Sequence, residues 1–246
     1  MKRFILGCLG VFSFVGAQAA PSIFSSDEKQ TTVIELFTSQ GCSSCPPAER
    51  WLNKLVEHPG LWEDFIPLAF HVDYWDRLGW KDVYAKPEHT SRQYQYQKDG
   101  NVRVVYTPGF FANGQEWRDW NNWFETTMPK TGKHVGTLVL EVDGEDVSAT
   151  FDKGLNRNMV LNISVLGFDI KTPIKAGENR GEDLPQEFVV LGHHQATSIN
   201  GKWQLGLPSV EHKAGRYALV GWVTGIENQA PIQATGGWLN DNVVIF

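Results

Sequence analysis

Cysteine, positive charge and long apolar runs are all scarce in this chain, and each shortage removes a class of function. Three cysteines occur in 246 residues, Cys8, Cys42 and Cys45. A four-ligand zinc site wants a second C-x-x-C, and there is none, so no metal and no cofactor are expected. The G-x-S-x-G of a serine hydrolase elbow is also missing. Lysine and arginine number 22 against 28 acidic residues, a formal charge of −6 with no basic stripe. Nucleic acid and anionic lipid are therefore not expected as partners. The longest apolar run, Phe4 to Val15, is too short to span a bilayer.

That short run has its own meaning. Lys2 and Arg3 precede it and Ala17-Gln18-Ala19 follows it, the pattern of a secretory signal cleaved after Ala19. Residues 1–19 are thus expected to leave the chain exported, periplasmic or secreted, with no stable membrane insertion after cleavage. Cys8 lies inside the apolar region, with too little hydrophobic sequence before it for a lipoprotein box. Taking Lys2 and Arg3 from the 22 basic residues leaves 20 against 28 acidic, a charge of −8. It also leaves one cysteine pair and no odd thiol, as an oxidising compartment favours.

The pair sits in the stretch that organises the chain. Val33 to Phe37 reads as a buried strand interrupted only by Glu35, and Gly41 permits a sharp turn. A helix is predicted to begin at the cysteines: Ala48, Trp51, Leu52, Leu55 and Val56 share one helical face, Pro46 and Pro47 fit only a first turn, and His58-Pro59-Gly60 stops it. Unpaired N–H groups and the dipole at a helix start stabilise negative charge, so the Cys42 thiolate should be favoured, with Cys45 one turn behind to resolve a mixed disulfide.

Further on, Asp64 to Asp73 reads as a second strand, parallel to the first, and Pro87 to Lys98 as a helix ended by Asp99-Gly100. Asn113-Gly114 signals a type I′ hairpin, and Asp119 to Met128 a closing helix with Trp120, Trp123, Phe124 and Thr127 on one face. From Lys133 the pattern becomes short strands between turns, and Thr172 to Gln186 reads as a long polar loop. The expected division is residues 1–19, 31–130 and a β-rich 133–246.

Cys42-Ser43-Ser44-Cys45 at a helix start, with Thr107-Pro108 before Phe110-Phe111-Ala112-Asn113-Gly114, resembles the thioredoxin-like superfamily over Thr31 to Lys130. Cys-Ser-Ser-Cys-Pro-Pro together with Phe70-His71-Val72-Asp73-Tyr74-Trp75-Asp76 is similar to an exported, mainly bacterial thioredoxin-like family of unknown function. The resemblance implies an α/β thioredoxin-like domain over 31–130, which the strand pattern from Lys133 would follow with an all-β region, a sandwich. It also implies a cis Pro108 with Thr107 contacting substrate backbone. The superfamily's buried acid lies six residues before its first cysteine, whereas Glu35 lies seven before Cys42. Glu35 is the candidate for proton transfer.

Two functions stand open. One is a thiol-disulfide oxidoreductase, with Cys42 attacking, Cys45 resolving, and a protein or small thiol or disulfide as substrate alongside a separate redox partner. Tyr74 and Trp75 would wall its substrate site, unless they pack the core. The other is a non-catalytic binding or scaffold protein with a structural disulfide. Such a bridge stabilises little: a four-residue loop gains about 2 kcal/mol against about 3 for fifteen residues. His193 and His194 are adjacent on a predicted strand and point to opposite faces, so a shared ion would need a bulge.

Overall fold

The structure is a computed structural model that describes residues 21–121 and 128–240. Strand dominates, at 46% against 16% helix. Strand β1 spans Ser22–Ser25 and β2 Thr32–Thr38. Helix α1 (Cys45–Asn53) runs into a 3-10 turn at Lys54–Glu57, followed by β3 (Phe65–His71) and a second 3-10 segment, Asp73–Leu78. Helix α2 covers Pro87–Lys98, its predicted bounds, with a proline in the first turn. Short strands β4 (Gly109–Ala112) and β5 (Gln115–Glu116) flank Asn113 and Gly114, whose φ values of 46° and 80° suit a type I′ turn. The closing helix expected at Asp119 to Met128 begins as a 3-10 turn, Asp119–Asn121, and its residues 122–127 lie outside the described residues.

Then come β6 (Leu138–Asp143), β7 (Asp146–Phe168), β8 (Ile170–Pro173), β9 (Asp183–Gln186), β10 (Val189–Gly206), β11 (Arg216–Gly225) and β12 (Gln233–Trp238). The expected α/β thioredoxin-like domain followed by an all-β sandwich is not what forms. Ten strands make one mixed sheet in the order β1-β6-β7-β10-β3-β2-β4-β5, with β11 and β12 branching from β7. The join is narrow: Val189 of β10 pairs in parallel with Ala69 of β3. It is enough to make the two groups of strands one sheet, with the rest of β3 unpaired toward β10. The main core follows the sheet, packing Val33, Phe37 and Phe70 with Leu166, Phe188 and Trp222 from the later strands.

Two further expectations change. Val147 to Phe151 and Val160 to Phe168 are one strand, because polar residues between them extend a ribbon against β10. Thr172 to Gln186, read as a loop, contains the hairpin β8–β9, with Thr172 opposite Leu184. The helices pack on opposite faces of the sheet. Trp51 of α1 meets Phe110 edge-on, while Tyr96 of α2 stacks on the adjacent Phe111, which points the other way.

Candidate active site around the cysteine pair

Strand β2 ends at Thr38, and Ser39 to Gly41 turn the chain so that the Cys42 amide bonds the Ser39 carbonyl at 3.1 Å. Ser44 occupies the N-cap position of α1 but makes no capping bond. Its hydroxyl lies 3.2 Å from the Cys42 sulfur instead. The helix tolerates this because Pro46 and Pro47 have no N–H to cap. Both cysteines are free thiols with 0% exposure, while Ser43 and Ser44 beside them are exposed.

The two thiols differ sharply. The Cys42 pKa falls from 9.0 to about 6, chiefly through a hydrogen bond from the Cys45 thiol. Burial opposes this, and bonds from Ser44 and Thr107 add to it. Cys45 moves well above its ordinary value, through burial first and then the hydrogen bond and charge of Cys42 and the charge of Glu49. One sulfur holds the negative charge and the other the proton.

Around them lies a buried polar group that sequence reasoning missed. Glu49, four residues after Cys45 on α1, is 4% exposed, and the Thr38 hydroxyl donates to its Oε1 at 2.6 Å. Burial raises the Glu49 pKa against the opposing charge of His71 and the Thr38 hydrogen bond. His71 pairs through Nδ1 with Asp82 Oδ2 at 2.7 Å. Burial disfavours the His71 cation, yet the Asp82 charge and hydrogen bond outweigh it and raise the His71 pKa. Burial likewise penalises Asp82, but His71 and the Gln40 and Tyr84 amides, at 2.8 and 3.0 Å, hold its pKa below the usual carboxylate value. The one legible signal was the i,i+4 spacing of Cys45 and Glu49, which puts both on one helical face. Asp82 carried none.

Of the candidates read from sequence, Thr107, Pro108, Tyr74 and Trp75 come together with the cysteines. The Thr107–Pro108 bond is cis. Thr107 is one of the groups that lower the Cys42 pKa, and its Oγ1 accepts from Trp75 Nε1 at 2.8 Å. Tyr74 donates to Gln93 at 3.2 Å, and burial, with both thiols adding, raises its pKa. Tyr74 and Trp75 are half-buried and also pack on the core. Glu35 is not brought to this site. It lies three residues before Thr38, hence on the other sheet face, where it accepts from Arg92 Nε at 2.5 Å and from Tyr96. The Arg92 guanidinium lies over the rings of Phe70, Tyr96 and Trp222.

The hairpin β8–β9 covers the pair. Asn179 Nδ2 donates to the carbonyls of Gln40 and Cys42 at 2.8 and 3.0 Å, and Glu178 accepts from the Ser43 amide at 3.0 Å. Gln40 donates to Gln186 at 2.9 Å and accepts from Trp80 Nε1 at 3.0 Å. Gly177, at φ +75°, lies so close to Trp80 that a Cβ would sit 3.0 Å from its Cβ. His193 stacks on Trp222 and meets Ser164 at 2.9 Å, while His194 is exposed, so the two do not share a partner. Burial first, then the Arg92 charge, lowers the His193 pKa to about 3. Among the described residues, no three His, Cys, Asp or Glu side chains are grouped to hold a metal ion.

No curated protein matches this chain. Two solved structures are similar to it. Protein AGR_C_4864 from Agrobacterium tumefaciens is 23% identical, with TM-score 0.62 over 89% of this chain and 99% of that one. HBP35 of Porphyromonas gingivalis is 15% identical, with TM-score 0.59 over 89% and 78%. At such identities the likeness is one of fold. The model for the protein of unknown function DUF1223 matches residues 33–224, which takes in both cysteines, the His71–Asp82 pair and the covering hairpin, and the chain belongs to that family.

Proposed function

We propose that the protein is an exported thiol-disulfide oxidoreductase working through Cys42 and Cys45. The carrying observation is the placing of the two sulfurs, Cys42 just ahead of α1 with the Ser44 hydroxyl 3.2 Å away and Cys45 fully buried at the first residue of that helix, which favours the thiolate on one and the proton on the other. The Cys42 thiolate attacks a substrate disulfide, one substrate sulfur leaves with the electron pair, and a mixed disulfide remains. Cys45 then loses its proton and attacks Cys42, closing the Cys42–Cys45 disulfide and releasing the second substrate sulfur. The substrate disulfide gains two electrons from the pair; because Cys42 enters as thiolate, the pair gives up one proton, from Cys45, and a second substrate proton comes from solvent. In reverse the same pair oxidises a dithiol. From the thioredoxin-like resemblance this reading keeps the local arrangement, a cysteine pair before a helix with Thr107 at the first sulfur.

A binding or scaffold role is the second reading, and the full burial of both thiols favours it. Reduction-potential measurement of the pair, with turnover of a model disulfide by wild type and Cys42→Ser, separates the two. An accessible potential with activity lost in Cys42→Ser supports exchange. A pair that dithiothreitol cannot reduce in the folded protein, or a fully active Cys42→Ser chain, sinks it.

A further inference from the structure

We propose that Thr38 and Glu49, positioned by the His71–Asp82 pair, form a relay that removes the proton from Cys45 and thereby governs the second half of the exchange. The proposal rests on the exchange reading above. Its geometry is compact. The Thr38 hydroxyl donates to Glu49 Oε1 at 2.6 Å and is one of the groups acting on the Cys45 thiol, so once Cys42 is tied up in the mixed disulfide and no longer accepts from Cys45, the Thr38 oxygen is placed to take that proton. A hydroxyl can receive one proton while passing on another. Glu49 itself is one helical turn from Cys45 and almost fully buried, where a carboxylate is costly to keep.

The titratable groups acting on Glu49 come from each element around it: His71 of β3, Asp82 of the loop beyond, and Cys42 and Cys45 at the head of α1. Asp82, fixed by His71 and two backbone amides, keeps positive charge on His71, and that charge favours the ionised carboxylate that must accept the proton. Burial acts the other way on Glu49 and strengthens its proton affinity, which narrows the gap to the raised Cys45 thiol. Among the described residues no partner is found for the buried His71 Nε2, as for His89 Nε2, so Nδ1 toward Asp82 carries the polar contact of the His71 ring.

In the mixed disulfide, Cys42 is bonded to the substrate sulfur. The Cys45 proton passes to Thr38 Oγ1 as the Thr38 proton passes to Glu49. The Cys45 sulfur attacks Cys42, the Cys42–substrate bond breaks, and the departing substrate thiolate takes its proton from water. Glu49 returns its own proton to solvent before the next cycle.

Reduced protein mixed with dithiobis(nitrobenzoate) tests this, because thionitrobenzoate is released twice. The first release follows attack by Cys42 and the second follows resolution by Cys45. Thr38→Val and Glu49→Gln should leave the first phase within about twofold and slow the second by roughly 100-fold at neutral pH, a typical general-base contribution. Thr38→Ser should restore it, and the slowed phase should accelerate with rising pH. Unchanged second phases in both variants, or equal slowing of both phases, overturn the relay and leave the exchange reading standing. If Glu49→Gln does not fold, the Thr38→Val and Thr38→Ser pair decides alone. A wild-type chain that releases no thionitrobenzoate removes the exchange reading and the relay with it.

Discussion

Timing the alkylation of reduced protein by iodoacetamide across pH titrates Cys42, since the thiolate is the reacting form. With its pKa lowered to about 6, the group is roughly nine-tenths ionised at neutral pH, where an ordinary thiol at 9.0 would be about one-hundredth ionised. The Cys45 thiol is the largest source of that lowering. Hydrogen bonds to a charged group contribute about 1.5–3 kcal/mol, and each pKa unit is about 1.4, so Cys45→Ala should lift the midpoint by about one to two units. Its thiolate fraction at neutral pH then falls to between about one-half and one-tenth. Ser44→Ala removes the hydroxyl 3.2 Å from the sulfur and should move the midpoint in the same direction by less. The reasoning fails if wild type titrates near 9, or if Ser44→Ala shifts the midpoint further than Cys45→Ala.

Arg92→Met strands the Glu35 carboxylate in the core and should cost about 3–5 kcal/mol in chemical denaturation, while the Cys42 midpoint stays put because the pair lies across the sheet. A shifted midpoint would show that the two faces communicate. His89 and His193 are both lowered from 6.5 to about 3, burial being the first cause. The unfolded chain therefore binds protons that the folded chain refuses, and these two histidines withdraw stability as pH falls from about 6.5 toward about 3. Melting temperatures of wild type and a His193→Gln variant across that window check this, and identical slopes in the two would refute it for His193. Asn179→Ala frees the carbonyls of Gln40 and Cys42 and loosens the cover. Alkylation of Cys42 at fixed pH should then quicken about tenfold; no change would mean that the hairpin does not control access.

What was legible in the sequence was local. Pro46-Pro47, Pro87 and Asp99-Gly100 bound the helices because proline and glycine act on their own backbone, and Asn113-Gly114 located a turn for the same reason. The continuity of the sheet was not legible, since it passes through the contact of Val189 with Ala69, and nothing in either segment marks the other as its neighbour. Thr172 to Gln186 misled because its strands are only four residues each, paired through their backbones, and the segment docks on Gln40 through the polar Gln186 and Asn179. At the site, Cys42, Cys45 and Thr107 were visible from motif spacing. Glu35 drew attention as the acid in the first strand, yet residue parity sent it to the Arg92 face and left Glu49, hidden among the apolar residues of α1, beside the thiols.

The Asn179 bond to the Cys42 carbonyl spans 137 residues of chain. A polypeptide is made from its N-terminus, so both thiols emerge long before the residue that closes over them has been synthesised. During that interval the hairpin that carries Asn179 does not yet exist, so a chain that stops short of it lacks the cover over both thiols. The order of synthesis therefore gives the pair two environments, open before the hairpin is made and covered after it.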